Sequence, residues 1–354
     1  MKPVRAHLTS WQRLAVALVV GLGLMAGHSA AADQGKVTVE KVEYKGWKNN
    51  LRLSNGEVEL IVTLDVGPRV ISYRLHNGPN VFKVFEEQAG KTGGDEWVAY
   101  GGHRVWAAPE DLTRTYAPDN GAVKYQKVPQ LQSMPAGTVG VRFTPAADTA
   151  YGVQRELEVY VEPTGSRVTV RNLITNIGDK QTQLAVWALS IMAPGGTEVI
   201  PLPPHHPHPG PPKNAKSAAD FAPNLVMVLW PYFDFTDPRW HFGSRYITLK
   251  QSSDKGPTKI GLSQNMGWVG YLNNGTLFVK KFHRHQDRHY PDHGVNFETF
   301  SNQEMQEIET LGPLVHLDPN KTAEHTEHWE LFANVGQISD EAAIDKEVRD
   351  RIKK

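Results

Sequence analysis

From Val37 onward, apolar and polar residues alternate in short runs separated by Gly, Pro and Asn. The run VTVEKVEYKGW, Val37 to Trp47, alternates as a half-buried strand should. Asn55-Gly56 then joins LRLS to EVELIVTLDV. This dipeptide predicts a hairpin, because both of its residues tolerate the positive φ of a tight turn. VISYRLH follows Gly67-Pro68 and stops at Asn77–Asn80. Later runs of the same kind include VQRELEVYVE, SRVTVRNLITNIG, LAVWALSIMA, KIGLSQN and VGYLNNGTLFVKKF. In all, about 15 strands recur at a spacing of roughly 8–15 residues, with no alternation of strand and helix. The pattern predicts an all-β fold, a large antiparallel supersandwich, occupying residues 33–354 as one domain.

Two stretches depart from this rhythm. Pro201 to Pro223, PLPPHHPHPGPPKNAKSAADFAP, is proline-dense and predicts a loop with polyproline character. Residues 338–354, ISDEAAIDKEVRDRIKK, predict a short C-terminal helix with Ser339 as N-cap and acids in the first turn. In that helix Ile344, Val348 and Ile352 form the apolar stripe.

The last strands carry an unusual density of carboxylates. Between Tyr290 and Phe332, alternation places Met305, Glu307, Glu309 and Leu311 on one face of a strand. Gln306, Ile308 and Thr310 take the other. Two glutamates at i, i+2 stand roughly 6–7 Å apart, close enough for each to raise the other's pKa when partly buried. Glu298 falls one strand earlier, and His316, His325 and His328 follow. A solvent-facing sheet edge is the plainer reading of any one of these acids.

Composition narrows the partner. Lys2, Arg5 and Arg13, an apolar run from Leu14 to Gly27 and Ala30-Ala31-Ala32 together read as an export signal, residues 1–32, cleaved before Asp33. The expected address is the periplasm or the outside of the cell. No later run approaches the roughly 18 apolar residues of a membrane span. The chain contains no cysteine, which removes disulfides and thiolate chemistry. Of 38 basic and 38 acidic residues, the signal holds three of the basic ones, leaving a mature chain near −3. That balance lacks the footprint of a nucleic-acid or anionic-membrane binder and favours a small, neutral or polar ligand. There is no nucleotide fingerprint, P-loop, H-E-x-x-H or calcium loop, so no cofactor is expected.

Tyr100 to Asp111, YGGHRVWAAPED, is the second stretch with candidate chemistry. Two glycines allow close backbone approach to a ligand, and His103, Arg104, Trp106 and Glu110 follow within a few residues. Such a packet can pair an acid–base histidine with an orienting arginine beside a stacking indole. A Gly-Gly turn with one ion pair and a core Trp is the plainer alternative. Among the indoles, Trp187 and Trp329 read as core by alternation, whereas Trp97, Trp106 and Trp240 sit in charge-rich surroundings that suit a ligand. His283, His285 and Asp287 would share a strand face able to hold a metal, but Arg284 and Arg288 beside them favour a solvated strand end. No metal site is expected.

The segment LIVTLDVGPRVISYRLHNGPNVFK resembles the opening of the galactose mutarotase-like, or aldose 1-epimerase, superfamily. GGHRVW, SRVTVRNLITNIGD, VNFETF and LDPNKTAEHTEHWELF resemble later blocks of that family, so the likeness runs from about Val37 to Ala333. GWKN, VGPRV, YGGHRVWAAPE, YPDHG and EIETLGP look like a mostly secreted bacterial branch of it. The resemblance implies a carbohydrate ligand and sugar anomer or epimer interconversion. In that chemistry a glutamate takes the anomeric proton and a histidine protonates the ring oxygen. By position it makes Glu298 the base and Arg104 the substrate-orienting cation. Strand alternation and the Tyr100–Asp111 packet add Trp106, Glu110, Glu307 and Glu309 as expected substrate-binding residues. The family's acid histidine has no counterpart, because Ile177 stands in its place and no N-H-x-H-G-G block occurs. His103 is the expected substitute, with the His205-His206-Pro207-His208 loop as another source. A non-catalytic glycan-binding module on the same fold is the competing expectation.

Overall fold

The computed structural model describes residues 35–112 and 114–353; the expected export signal lies outside them. Among the described residues 21 strands form two antiparallel sheets, one of eleven strands and one of ten. The front sheet runs in the order Thr38–Tyr44, Trp47–Ser54, Val58–Thr63, Arg69–Leu75, Gly102–Ala108, Thr182–Met192, Gln306–Leu311, Phe297–Ser301, Thr258–Leu262 and Met227–Leu229. Val315–Leu317 adds to the flank of Thr182–Met192. The back sheet is centred on Thr276–Phe282, Thr322–Phe332 and Val168–Asn176.

Alternation decides which side of each strand joins the core. Val105, Ala107, Val186, Ile260 and Ile308 of the front sheet meet Val170, Phe278 and Trp329 of the back sheet in one buried cluster. Each of the Val, Ile and Phe side chains contributes about 1.5–3 kcal/mol by leaving water. The opposite face of the front sheet is also covered, by a smaller cluster of Trp106, Ala108, Ala185, Trp187, Leu189 and Leu311 packed with Trp97 and Tyr116.

Three local expectations need revision. The run Val37 to Trp47 is two strands, because Lys45 and Gly46 both take positive φ (50° and 87°) and make a tight turn that pairs Tyr44 with Trp47. Gly101 and Gly102 serve the fold and not a ligand. A Cβ on Gly101 would stand 2.1 Å from the Lys83 carbonyl, and one on Gly102 2.3 Å from that of Val70. Only glycine admits the neighbouring backbone there. At the C-terminus, helical turns run end to end through Glu341–Ile344, Asp345–Arg349 and Asp350–Ile352. Asp340, not Ser339, is the cap, accepting the Ala343 N–H at 2.8 Å. Ile344 and Val348 pack with Val199 and Leu277 in a small cluster of their own. The proline-dense segment is irregular and exposed, with short turns only at Pro212–Asn214 and Ala218–Phe221. Among the described residues no helix is long and apolar enough to cross a membrane.

Candidate functional site

Four adjacent strands of the front sheet turn charged side chains away from the sandwich core. Arg104 and Trp106 come from Gly102–Ala108, Trp187 and Leu189 from Thr182–Met192, Glu307 and Glu309 from Gln306–Leu311, and Glu298 from Phe297–Ser301. The register brings them level: Leu189 lies opposite both Arg104 and Glu309, and Glu298 lies directly opposite Glu309. Lys259, on the next strand, completes the row.

Together with Trp97, Glu110, Tyr116, Tyr232, Phe300 and Met305, these residues enclose a cavity of about 220 Å³, although Glu298 itself stands just behind the lining. That volume is below the roughly 300–1,000 Å³ of sites for drug-sized ligands and suits a single small ring. Two other hollows, about 280 Å³ beside Asp119 and Arg155 and about 790 Å³ along the proline-dense loop, lack a comparable set of buried charges.

Charge is concentrated at the floor. The Lys259 ammonium lies 2.7 Å from Glu298 and 3.0 Å from Glu309, and both carboxylates are about 1% exposed. Glu309 also accepts the Trp187 indole N–H at 3.0 Å. Arg104 donates to Glu307 at 3.1 Å and stacks over Trp106 with 4.2 Å to the ring centroid. Lys259 is itself held between Trp187 and Trp230, at 5.0 and 4.7 Å. At the rim, the Tyr116 hydroxyl donates to the exposed Glu110.

Burial pushes Glu298 well above the ordinary carboxylate range and Glu309 above it too, against the pull of Lys259. Asp292 adds to the rise at Glu298. It belongs to a turn in which it and His293 both adopt left-handed backbone, with φ of 48° and 63°. For Lys259, burial works against the charge, but Glu309 and Glu298 more than offset it and hold the ammonium protonated. Two carboxyls competing for one ammonium titrate as a unit. Burial likewise lifts the Tyr232 phenol to about 12.

Several polar atoms in this cluster are buried and have no hydrogen-bond partner in the protein. They are Trp97 Nε1, Arg104 Nε and Nη1, Glu298 Oε1 and Glu309 Oε1. Each such group costs about 1–3 kcal/mol unless something meets it. Donors and acceptors are mixed, which matches a ligand rich in hydroxyls, each able both to give and to accept.

The structure therefore gathers Arg104, Trp106, Glu110, Glu307 and Glu309 around one cavity, with Glu298 behind it. His103 does not join them. As the neighbour of Arg104 on a strand it points the opposite way, into the sandwich, where Ser190 and Asn172 hold its two ring nitrogens at 2.9 Å each. It is fully buried, and desolvation lowers its pKa to about 4, so it is neutral at pH 7. Nor do the His205–His208 loop residues line the cavity. Trp97 and Trp106 stand at the cavity as expected, and so does Trp187, expected in the core. Trp329 is core. Trp240 is buried away from the site, donating to Thr258 at 2.9 Å. Sequence reasoning missed Lys259, Tyr116 and Tyr232. The one signal for Lys259 was a lone cation within the apolar run KIGL. Among the described residues no three His, Asp or Glu side chains converge as metal ligands.

Comparison with protein-family models gives no match, and neither does comparison with curated proteins. Solved structures do match. A proposed aldose 1-epimerase from Klebsiella pneumoniae superposes with a TM-score of 0.51 at 10% identity, over 90% of this chain and 87% of that one. A proposed mutarotase from Salmonella typhimurium gives 0.50 at 10% identity, over 83% and 94%. A TPR-domain containing protein from Parabacteroides distasonis gives 0.53 at 15% identity, and here the match spans 81% of this chain but only 47% of the other. The two antiparallel sheets and the superpositions on the aldose 1-epimerase and the mutarotase agree: the chain has the galactose mutarotase-like β-sandwich fold.

Proposed function

We propose that the chain binds a carbohydrate, with one sugar ring seated in the cavity between Arg104, Glu309 and the indoles of Trp97, Trp106 and Trp187. The observation that carries this reading is the set of partnerless buried donors and acceptors beside aromatic rings. Indoles cover the apolar face of a sugar, while mixed polar groups meet its hydroxyls. Three acidic residues in the lining (Glu110, Glu307, Glu309), with Glu298 just behind them, stand against two cations (Arg104, Lys259), and this acidic bias favours neutral sugars over uronates.

The same floor supports proton transfer. Glu298 and Glu309 share Lys259, and with both pKa values raised the pair keeps a proton that an isolated carboxyl would lose. Glu309, the member that lines the cavity, takes the proton from an anomeric hydroxyl. The Glu298–Lys259 pair returns one to the ring oxygen as the ring C–O bond breaks and the carbonyl forms. Reclosure on the other face of that carbonyl reverses both transfers and gives the second anomer. This replaces the acid histidine of the expected scheme with a carboxyl–ammonium pair.

Calorimetric titration with D-glucose, D-galactose, N-acetylglucosamine and D-glucuronate tests the binding. Saturable binding of at least one neutral sugar is expected, weakened tenfold or more in Arg104→Ala and in Glu309→Ala, with glucuronate weakest. No binding across the panel would remove the proposal. Exchange NMR on the bound sugar then separates turnover from binding: faster interconversion of α and β anomers, lost in Glu309→Gln, marks an enzyme. Binding without exchange leaves a glycan-binding module. We further propose export from the cell with cleavage before Asp33, which N-terminal sequencing of the secreted protein tests.

A further inference from the structure

Behind the strands that carry the site carboxylates lies a second set of ionisable groups, sealed inside the sandwich. Lys280 and Glu327 of the back sheet are 0% exposed and form an ion pair of 2.9 Å. Glu198, from the back-sheet strand Thr197–Pro201, is also fully buried. Each reaches across to the front sheet. Lys280 donates to the Ile308 carbonyl at 3.1 Å. Glu327 accepts the Thr310 hydroxyl, and that hydroxyl accepts in turn from His325 at 2.8 Å. Glu198 accepts from the Thr299 hydroxyl at 2.6 Å and from the Gln306 side-chain amide.

The positions touched are not scattered. Gln306, Ile308 and Thr310 alternate with Glu307 and Glu309, and Thr299 follows Glu298. Every outward carboxylate on these two strands therefore has an inward neighbour pinned by a buried charged or acidic group. Holding two sheets together does not require this. Apolar residues of similar volume often stabilise a core as well as a buried ion pair does, or better. What polar groups add is a fixed position for particular backbone and hydroxyl atoms, and binding geometry needs support to within about 0.5 Å.

We propose that Glu198, Lys280 and Glu327 are positioning residues for the site: they set the height and register of the Phe297–Ser301 and Gln306–Leu311 strands, and so fix where Glu298, Glu307 and Glu309 stand. The assignment rests on reading the outer cavity as the binding site, but its test needs no ligand. The reporter is the Trp187 indole N–H, which is donated to Glu309. Its NMR signal in ¹⁵N-tryptophan-labelled protein follows both the position and the ionisation of that carboxyl. The groups facing Glu309 are Lys259, Glu298, Glu307 and Arg104 at the cavity, with Glu198 and Lys280 behind.

Glu198→Leu removes the acceptor for Thr299 and Gln306, whereas Glu198→Gln keeps an acceptor and also carries no charge. The expected result is that Glu198→Leu shifts the Trp187 signal and moves its pH midpoint by at least one unit, while Glu198→Gln leaves both near their original values. A purely electrostatic influence would move the two variants alike, and a purely packing role would lower the melting temperature without moving the midpoint; either overturns the proposal. Should Glu198→Leu fail to fold, the doubly neutral Lys280→Met/Glu327→Gln variant decides: it is expected to melt within a few degrees of the parent but to shift the Trp187 signal, and an unshifted signal overturns the proposal. Because sugar binding is not measured, failure of the carbohydrate reading leaves these outcomes unaffected.

Discussion

Lys259 is the residue on which the floor depends most. It is the only cation within 3.0 Å of either Glu298 or Glu309 among the described ion pairs. Lys259→Met leaves two buried carboxyls without a counter-charge, a loss of about 3–5 kcal/mol by analogy with other broken buried pairs. The sign of its pH dependence follows from the raised pKa values. A carboxyl whose folded pKa lies above its unfolded one is stable in the fold at low pH and loses that stability as pH rises. Urea unfolding should therefore show a larger deficit for Lys259→Met at pH 8 than at pH 5. His103 makes the opposite kind of residue-scale prediction. His103→Ala strips partners from Ser190 and Asn172 and opens a cavity, costing about 2–4 kcal/mol in thermal or urea unfolding. Calorimetry on the folded fraction should find sugar affinity unchanged, since the ring lies on the far side of the sheet.

At the scale of the element, alternation in the strand did most of the work that sequence could do. Glu307 and Glu309 were legible as one face and Gln306, Ile308 and Thr310 as the other, and the structure keeps that division. The same rule applied to Gly102–Ala108 separates His103 from Arg104, because neighbours in a strand face opposite ways however close they stand in sequence. Lys259 stayed hidden because its strand pairs with Glu298's only through the fold, between residues as far apart in the chain as Lys259 and Phe300. Strands of three residues, such as Met227–Leu229 and Trp240–Phe242, are too short for a period of two to register. Gly101 and Gly102 set the entry to the Arg104 strand. Gly102→Ala forces a Cβ to within 2.3 Å of the Val70 carbonyl at a φ of 74°, so it should cost roughly 2–4 kcal/mol in urea unfolding and also weaken sugar binding by displacing Arg104.

Across the whole molecule, the buried ionisable groups pull the stability curve in two directions. His103 and His325 are both lowered by burial to about 4, from 6.5. Below pH 6.5 the unfolded chain binds protons that the fold refuses, so their contribution is intact above that pH and lost as pH falls toward 4. Glu198 is raised by burial from 4.5 to about 8, so its contribution is intact below 4.5 and lost as pH climbs toward 8. Melting temperature scanned over pH 4–9 should thus fall at both ends, and Glu198→Gln should flatten only the alkaline side. An unchanged alkaline limb would show that Glu198 is ionised in the fold.

The division of labour between strands and loops in the cavity has an evolutionary and practical side. Arg104, Lys259, Glu298, Glu307 and Glu309 are fixed by ladder hydrogen bonds, whereas Trp97, Glu110, Tyr116 and Tyr232 stand on connecting segments. Loops accept replacement far more readily than paired strands do. A laboratory library confined to residues 110–116 and 231–235 would therefore vary the mouth of the cavity while leaving the Glu298–Lys259–Glu309 floor and its Trp230 contact in place, and any ligand preference could be retuned without rebuilding the charged cluster.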